Sequence, residues 1–188
     1  MENLNQQNLF GESTYPEGFS YASNFISPKE EEFLLQKIKT LELGHLVIQG
    51  VPSKRRMIHF GVGYSFETKK LTDRIPIPDW LNPLIENVSK FTKKPPNNFE
   101  EILVTEYQPG AGITWHKDAD PFGIIVGVSL AGSSTLKLRK IDNAKIIKTL
   151  VLEPRSAYLL SGESRTQWAH SIPAVKNLRY SVTFRTLK

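Results

Sequence analysis

Apolar residues recur with two periods along this chain, dividing it into an early helical part and a long strand-rich part. Ser27-Pro28-Lys29-Glu30 reads as a capping box with proline at the first helical position. Leu34, Ile38 and Leu41 follow at helical spacing beside Phe33, which predicts an amphipathic helix over residues 28–42. Leu81, Leu84, Ile85 and Val88 predict a second helix over 80–92, capped by either Asp79 or Asn82. Elsewhere the pattern is that of strands. His45 to Val51 is one apolar stretch. His59 to Phe66 alternates, with Phe60, Val62, Tyr64 and Phe66 on one side and Gly61, Gly63 and Ser65 on the other. Further strands are predicted at 101–108, 123–130, 135–141, 145–152, 157–160 and 179–187, separated by turn residues such as Pro109-Gly110 and Asp142-Asn143. Two helices followed by many short strands predict an α+β domain whose body is a β-sandwich or barrel. Residues 1–24, rich in Asn, Gln, Ser and Gly, read as an N-terminal arm, and 25–188 as the domain.

Composition narrows the chemistry. The chain has 188 residues and no Cys, which excludes a disulfide scaffold, a zinc–thiolate site, an iron–sulfur cluster and a cysteine nucleophile. Its first residues lack a basic segment followed by an apolar one, so no signal peptide is read there, and no apolar run is long enough to span a membrane. The expected location is cytoplasmic or nuclear. A net charge of +5 favours a phosphate-bearing partner, because summed positive charge attracts polyanions at long range.

Four histidines are present: His45, His59, His116 and His170. His116 belongs to Trp115-His116-Lys117-Asp118, an H-x-D pair. In extended backbone residues i and i+2 point to the same side, so an imidazole and a carboxylate can converge on one ion. A second imidazole would complete the two-histidine, one-carboxylate set that holds non-haem Fe(II) with coordination positions left open. His170, just before the final strand, is the candidate. An H-x-D pair is a weak signal by itself, and its surroundings carry the weight. Arg179 and Arg185 sit at even spacing on the last strand, so both aim at one face. A guanidinium inside a barrel grips a carboxylate bidentately, which suggests a dicarboxylate cosubstrate. Tyr107 could donate its hydroxyl to the same carboxylate.

The series Tyr107-Gln108-Pro109-Gly110, His116-Lys117-Asp118-Ala119-Asp120, His170 and Arg179 with Arg185 resembles the AlkB family of Fe(II)/2-oxoglutarate dioxygenases. Arg55-Arg56-Met57-Ile58-His59-Phe60-Gly61 is similar to that family's substrate-lid region. The likeness covers about residues 20–187, and its local wording is nearest the branch that includes the tRNA-modifying member. The resemblance implies a double-stranded β-helix (jelly roll) with two or more helices packed on one side. It implies iron held by the catalytic residues His116, Asp118 and His170, with 2-oxoglutarate and O2 as the other reactants. Arg179 would pair with the distal carboxylate of 2-oxoglutarate, Tyr107 would assist, and Arg185 would lie near the cosubstrate's other end. Asp120 would help orient the substrate or its lid. Where the family usually shows Asn, this chain has Thr105, which keeps a hydroxyl, loses the amide and implies a weaker cosubstrate contact.

The activity so implied is oxidative demethylation of N-alkylated bases in DNA or RNA. Hydroxylation of a modified tRNA base or of a protein side chain is the alternative enzyme reading, and a nucleic-acid-binding jelly roll without turnover is the non-enzymatic one. The expected partner is nucleic acid offering a single-stranded or flipped base. No membrane partner is expected, and the chain is expected to be a monomer. Lys54-Arg55-Arg56 would hold phosphates at the rim or form a solvated turn, and His59 borders the opening as a candidate substrate contact. Lys137, Arg139, Lys140, Lys145 and Lys148 form a basic hairpin, read as a solvent-facing strand pair.

Overall fold

Ser27 opens helix α1 (Pro28–Ile38), its hydroxyl accepting from the Glu30 amide while the Glu30 carboxylate accepts from the Ser27 amide. The protein is described by a computed structural model over residues 15–48, 51–65, 68 and 70–188. Helix α1 stops short of residue 42 because the amides of Thr40 and Leu41 close tight turns onto Lys37 and Ile38. Helix α2 (Asn82–Thr92) follows a 3-10 turn at Asp79–Leu81. Leu81 occupies its cap position, and neither Asp79 nor Asn82 caps it with a side chain. Pro83 in the first turn lowers the need for a cap, having no amide to satisfy.

The strands are β1 (Phe19–Ala22), β2 (Gly44–Ile48), β3 (Val51–Ser65), β4 (Lys70–Ile75), β5 (Phe99–Tyr107), β6 (Ile113–His116) and β7 (Phe122–Ala131). They continue with β8 (Ser134–Lys140), β9 (Ile147–Leu152), β10 (Ala157–Leu160), β11 (Trp168–Ile172) and β12 (Arg179–Leu187), with a short helix α3 (Gly162–Thr166) before β11. Among the described residues they form an eight-stranded antiparallel sheet in the order β1-β10-β7-β12-β5-β3-β2, with β4 also on β3. A four-stranded sheet runs β6-β11-β8-β9. This is the double-stranded β-helix. On the large sheet's helix side, Leu34 and Ile38 of α1 and Leu84, Ile85 and Val88 of α2 bury against Ile102, Val104, Val126, Val182 and Phe184. Truncating one such buried Leu to Ala costs about 2–5 kcal/mol. Between the sheets, Ile125, Leu136, Leu138, Leu152, Trp168 and Ile172 form a second core. No helix among the described residues is long and apolar enough to cross a membrane.

Three departures from the sequence reading bear on the site. Residues 19–22, placed in the arm, form β1 and ladder with β10, and residues 1–14 lie outside the described part. Strand β3 begins at Val51 rather than His59, so Lys54, Arg55 and Arg56 belong to a strand and not to a turn. The alternation across 59–66 breaks at Gly61, whose φ of +73° is left-handed and whose Cβ would run into the Glu100 carbonyl. A register shift follows between Val62 and Gly63. Phe60 therefore packs in the helix-side core while Tyr64 packs against Phe122 in the inter-sheet core. Phe66 lies outside the described residues.

Candidate active site

Strands β3, β5 and β12 lie side by side, and their registers set the site in rows. Arg55, Tyr107 and Arg179 share one row, followed by Met57, Thr105 and Ser181, then His59, Leu103 and Thr183, then Gly61, Glu101 and Arg185. Alternation sends these side chains toward the small sheet while Ile102 and Val104 face the helices. Opposite them, β6 and β11 pair His116 with His170, whose ring centroids are 4.2 Å apart.

Asp118 lies two residues beyond His116, past the end of β6, in a loop that Arg165 of α3 holds. Its guanidinium donates to the carbonyls of Asp118, Ala119, Phe122 and Gly123 at 2.9–3.2 Å. One Asp118 oxygen, Oδ1, lies 3.6 Å from His116 Nε2 and 3.9 Å from His170 Nε2. The other, Oδ2, accepts from Arg185 Nε at 3.1 Å. His116 Nδ1 is 2.8 Å from the Thr114 carbonyl, which assigns its proton there and leaves Nε2 with a free lone pair. One ligand atom from each of His116, Asp118 and His170 fits within 4.8 Å. Burial lowers both imidazoles, His170 to about 4, so both stay neutral and able to ligate. Burial alone would raise the Asp118 carboxyl, but the Arg185 guanidinium beside it holds it well below the usual range.

Arg179 is 1% exposed. Its Nε donates to Ser129 Oγ of β7 at 3.0 Å, its guanidinium lies 4.9 Å from the Tyr107 ring centroid, and Nη1 has no partner among the described residues. A buried guanidinium without an anion is costly, so this one calls for a carboxylate from outside the chain. A small cavity beside Tyr107 is lined by Arg55, Thr105, His116, Asp118, His170 and Arg185. A larger one, about 290 Å³, opens on the other side of Asp118 between His45, His59, Tyr64, Glu101, Phe122 and Arg185.

Residues 18–185 match the family model of the 2OG-Fe(II) oxygenase superfamily. Similar proteins include Uncharacterized protein L905 of Acanthamoeba polyphaga mimivirus, 29% identical over 90% of this chain and 85% of its own. The Alkylated DNA repair protein ALKBH8 homolog of Arabidopsis thaliana is 28% identical over 83% of this chain and 51% of its own. The Probable RNA/DNA demethylase ALKBH6 of Danio rerio is 27% identical over 82% and 69%. The chain thus spans about half the length of the plant relative. The solved structure of OsALKBH1 superposes with a TM-score of 0.70 at 16% identity, covering 92% of this chain and 98% of that one, so the two share a fold. The chain belongs to this superfamily, in its AlkB family.

As an AlkB-family oxygenase the enzyme uses Fe(II), 2-oxoglutarate and O2. The residues present fit both groups: two neutral imidazoles and a carboxylate suit Fe(II), and the orphaned Nη1 of Arg179 suits a carboxylate. Other expected site residues sit less simply. Thr105 lines the small cavity, 1% exposed. Arg185, expected near the cosubstrate's other end, lines the small cavity and divides its bonds between Asp118 and Glu101. Arg55, expected at the phosphate-holding rim, turns inward, 9% exposed, with its guanidinium 5.9 Å from the Tyr107 ring centroid. Arg56 is committed to Glu106 through two bonds of 2.8 and 3.0 Å. That leaves Lys54 as the exposed cation of the run. His59 lines the larger cavity, whereas Asp120 is exposed and lines neither.

Sequence reasoning assigned no role to Glu101 or Ser129, and met Arg165 only as part of the Ser161–Arg165 stretch before His170. Glu101 carried a readable signal, an acidic residue in step with Leu103, Thr105 and Tyr107 on an inward face. Arg165 and Ser129 carried none, since their partners are backbone carbonyls and a guanidinium distant in sequence.

Proposed function

We propose that the enzyme oxidatively demethylates N-alkylated bases in single-stranded DNA or RNA, and that His116, Asp118 and His170 hold its iron. The observation that carries this reading is the cavity of about 290 Å³ beside Asp118, large enough for a single base and walled by Met57, Leu103, Tyr64 and Phe122. The names of the relatives ALKBH6 and ALKBH8 homolog, which speak of demethylation and alkylated-DNA repair, and the net charge of +5 support it. When bound, Fe(II) with 2-oxoglutarate and O2 supplies the oxidising equivalent that hydroxylates an N-methyl carbon, and the resulting hemiaminal releases formaldehyde.

The chain's own residues do the positioning. Arg179 and Tyr107 would receive the distal carboxylate of the cosubstrate, with Thr105 and Arg55 lining its cavity. Arg185 holds Asp118 Oδ2 and so turns Oδ1 toward the histidines. Arg165 fixes the loop that carries Asp118. With a base seated in the larger cavity, its aromatic and aliphatic walls would exclude water from the space beside the metal ligands.

The test supplies the reconstituted enzyme with methylated single-stranded DNA, methylated RNA and total tRNA. Loss of methyl groups with matching succinate and formaldehyde is expected, and a His116→Ala/Asp118→Ala variant should lose both turnover and stoichiometric metal. Methylated DNA and RNA left intact would overturn the reading. Likeness to the mouse protein named tRNA (carboxymethyluridine(34)-5-O)-methyltransferase ALKBH8, 26% identical over 25% of its length, favours hydroxylation of a modified tRNA base as the second reading. An added oxygen in tRNA would support that one.

A further inference from the structure

Trp115, Lys137 and Arg139 take no part in the site, yet the small sheet gathers them on its outer face. On β8, Leu136 and Leu138 bury in the inter-sheet core, so Lys137 and Arg139 alternate outward. β11 sets Ser171 opposite Lys137 and Ala169 opposite Arg139. On β6, His116 pairs with His170 while its neighbour Trp115 lines a surface cleft of about 470 Å³. Lys54, Lys137 and Ser171 line the same cleft, with Gly110 and Gly112 offering no side chain to fill it. The Arg139 guanidinium lies 4.5 Å from the Trp115 ring centroid and is not part of the cleft wall. It therefore backs one face of the indole and leaves the other to the cleft. Past Pro173 and Ala174, which line both, the surface continues into a second cleft of about 260 Å³ with Ser133, Thr135, Lys176 and Asn177. Among the described residues, no carboxylate lines either cleft. Cations beside an open aromatic face are what holds single-stranded nucleic acid, with phosphates on the charges and a base on the ring.

We propose that this cleft is a second nucleic-acid site, where a nucleotide flanking the one under reaction stacks on Trp115 while Lys54 and Lys137 hold its phosphates. The proposal rests on the reading of a nucleic-acid substrate and extends it to the outer face of the small sheet. The spacing suits one strand reaching both places. Lys54 lies four residues along β3 from Ile58 at the mouth of the larger cavity, about 13 Å at a rise of about 3.3 Å per residue. At a stacked rise of about 3.4 Å per nucleotide, a strand covers that span in about four nucleotides, and in fewer when extended. Stacking is tolerant of sequence because every base has a π-face. The cleft thus fixes where the strand lies and how much of it is gripped, and leaves the choice of base to the larger cavity. It also demands a free base, which a single strand offers and a duplex keeps inside its stack.

The experiment offers the full-length protein single-stranded oligonucleotides, in DNA and RNA series, with one central N1-methyladenine and an abasic residue moved through each flanking position in turn. Affinity is read by fluorescence anisotropy with Mn(II) in place of iron, and turnover by mass spectrometry with Fe(II), 2-oxoglutarate and O2. In the wild type, the abasic residue should weaken binding roughly 5- to 150-fold at one position, within about four nucleotides on one side of the methylated base. Trp115→Ala should level that scan, while Trp115→Phe, which keeps a ring, should retain it. Of the three tryptophans, Trp80 and Trp168 pack in the two cores, so quenching of indole fluorescence by the intact oligonucleotide should be lost in Trp115→Phe. A Lys54→Ala/Lys137→Ala variant should flatten the logarithmic salt dependence of binding by about 1.4, two phosphate contacts' worth. A level scan in the wild type overturns the proposal, and so does an unchanged scan in a folded Trp115→Ala variant. A level scan with demethylation intact leaves the demethylase reading standing, whereas a positional loss of binding without turnover of the base overturns that reading and supports the cleft. The wild-type scan and the Phe variant decide the matter even if the Ala variant does not fold.

Discussion

Arg179 packs 4.9 Å from the Tyr107 ring centroid and, among the described residues, leaves Nη1 without an acceptor in a fully buried position. Hydrogen bonds to charged groups contribute roughly 1.5–3 kcal/mol each. Arg179→Ala should therefore raise the 2-oxoglutarate concentration for half-maximal activity at least tenfold. Lys at that position should rescue only part, having charge without the fork. Unchanged cosubstrate dependence in the Ala variant would remove Arg179 from the site. Arg165 acts one step further out, through two carbonyls of the loop that carries Asp118 and two at the start of β7. Arg165→Ala should weaken Mn(II) or Co(II) binding roughly 10- to 100-fold, the usual cost of removing a group that orients a metal ligand. A folded variant with wild-type metal affinity would show that the loop holds its shape unaided. The candidate metal-holding pair His116 and Asp118 was legible in the sequence because the two residues lie two positions apart. Arg179 was legible because strand alternation fixes its side. Arg55 was misread as a rim residue because a charge run says nothing about which member turns inward, and here the register with Tyr107 decides it.

At the level of elements, the helices were readable from their own residues, since the Ser27–Glu30 box and the apolar stripes of α1 and α2 are local signals. Strand β12 was readable end to end, being buried on both sides by β5 and β7 and correspondingly patterned. Strand β3 was not. Its first half carries Lys54-Arg55-Arg56, which reads as a turn, and its second half breaks alternation at Gly61. That glycine is a testable hinge in the pattern. Gly61→Ala must place a Cβ against the Glu100 carbonyl and hold a left-handed φ, a strain of about 1–3 kcal/mol before any clash is relieved. Chemical denaturation should show a loss at least that large. Tyr64 should also lose its packing on Phe122. Wild-type stability in the Ala variant would mean that β3 can straighten freely.

For the whole molecule, the excess of positive charge has an uneven distribution. Arg55, Arg165 and Arg179 are buried and half-buried Arg185 is tied to Asp118 and Glu101, so contact with a polyanion falls to surface cations such as Lys54 and Lys137. Lys54 and Lys137 flank a surface cleft with Trp115, and Arg139 lies 4.5 Å from the Trp115 ring centroid. Affinity for single-stranded oligonucleotides should fall linearly with salt on logarithmic axes, with a slope of about −0.7 per phosphate contacted. Lys54→Ala or Lys137→Ala should reduce that slope, and salt-insensitive binding would count against a nucleic-acid substrate. The outer edge of the large sheet bears on how fast such a substrate comes and goes. β2 ladders with β3 from Val51 to Met57, and β4 takes up the ladder only at Gly61. Among the described residues, Ile58, His59 and Phe60 thus have β5 on one side and no strand on the other. Ile58 and His59 line the mouth of the larger cavity. Widening that mouth breaks no backbone ladder among the described residues, so entry and exit of a base should need side-chain rotations, on a scale of nanoseconds, rather than strand separation. Amides of this stretch that point away from β5 exchange with solvent at nearly the rate of an open chain, while those on β5 stay protected.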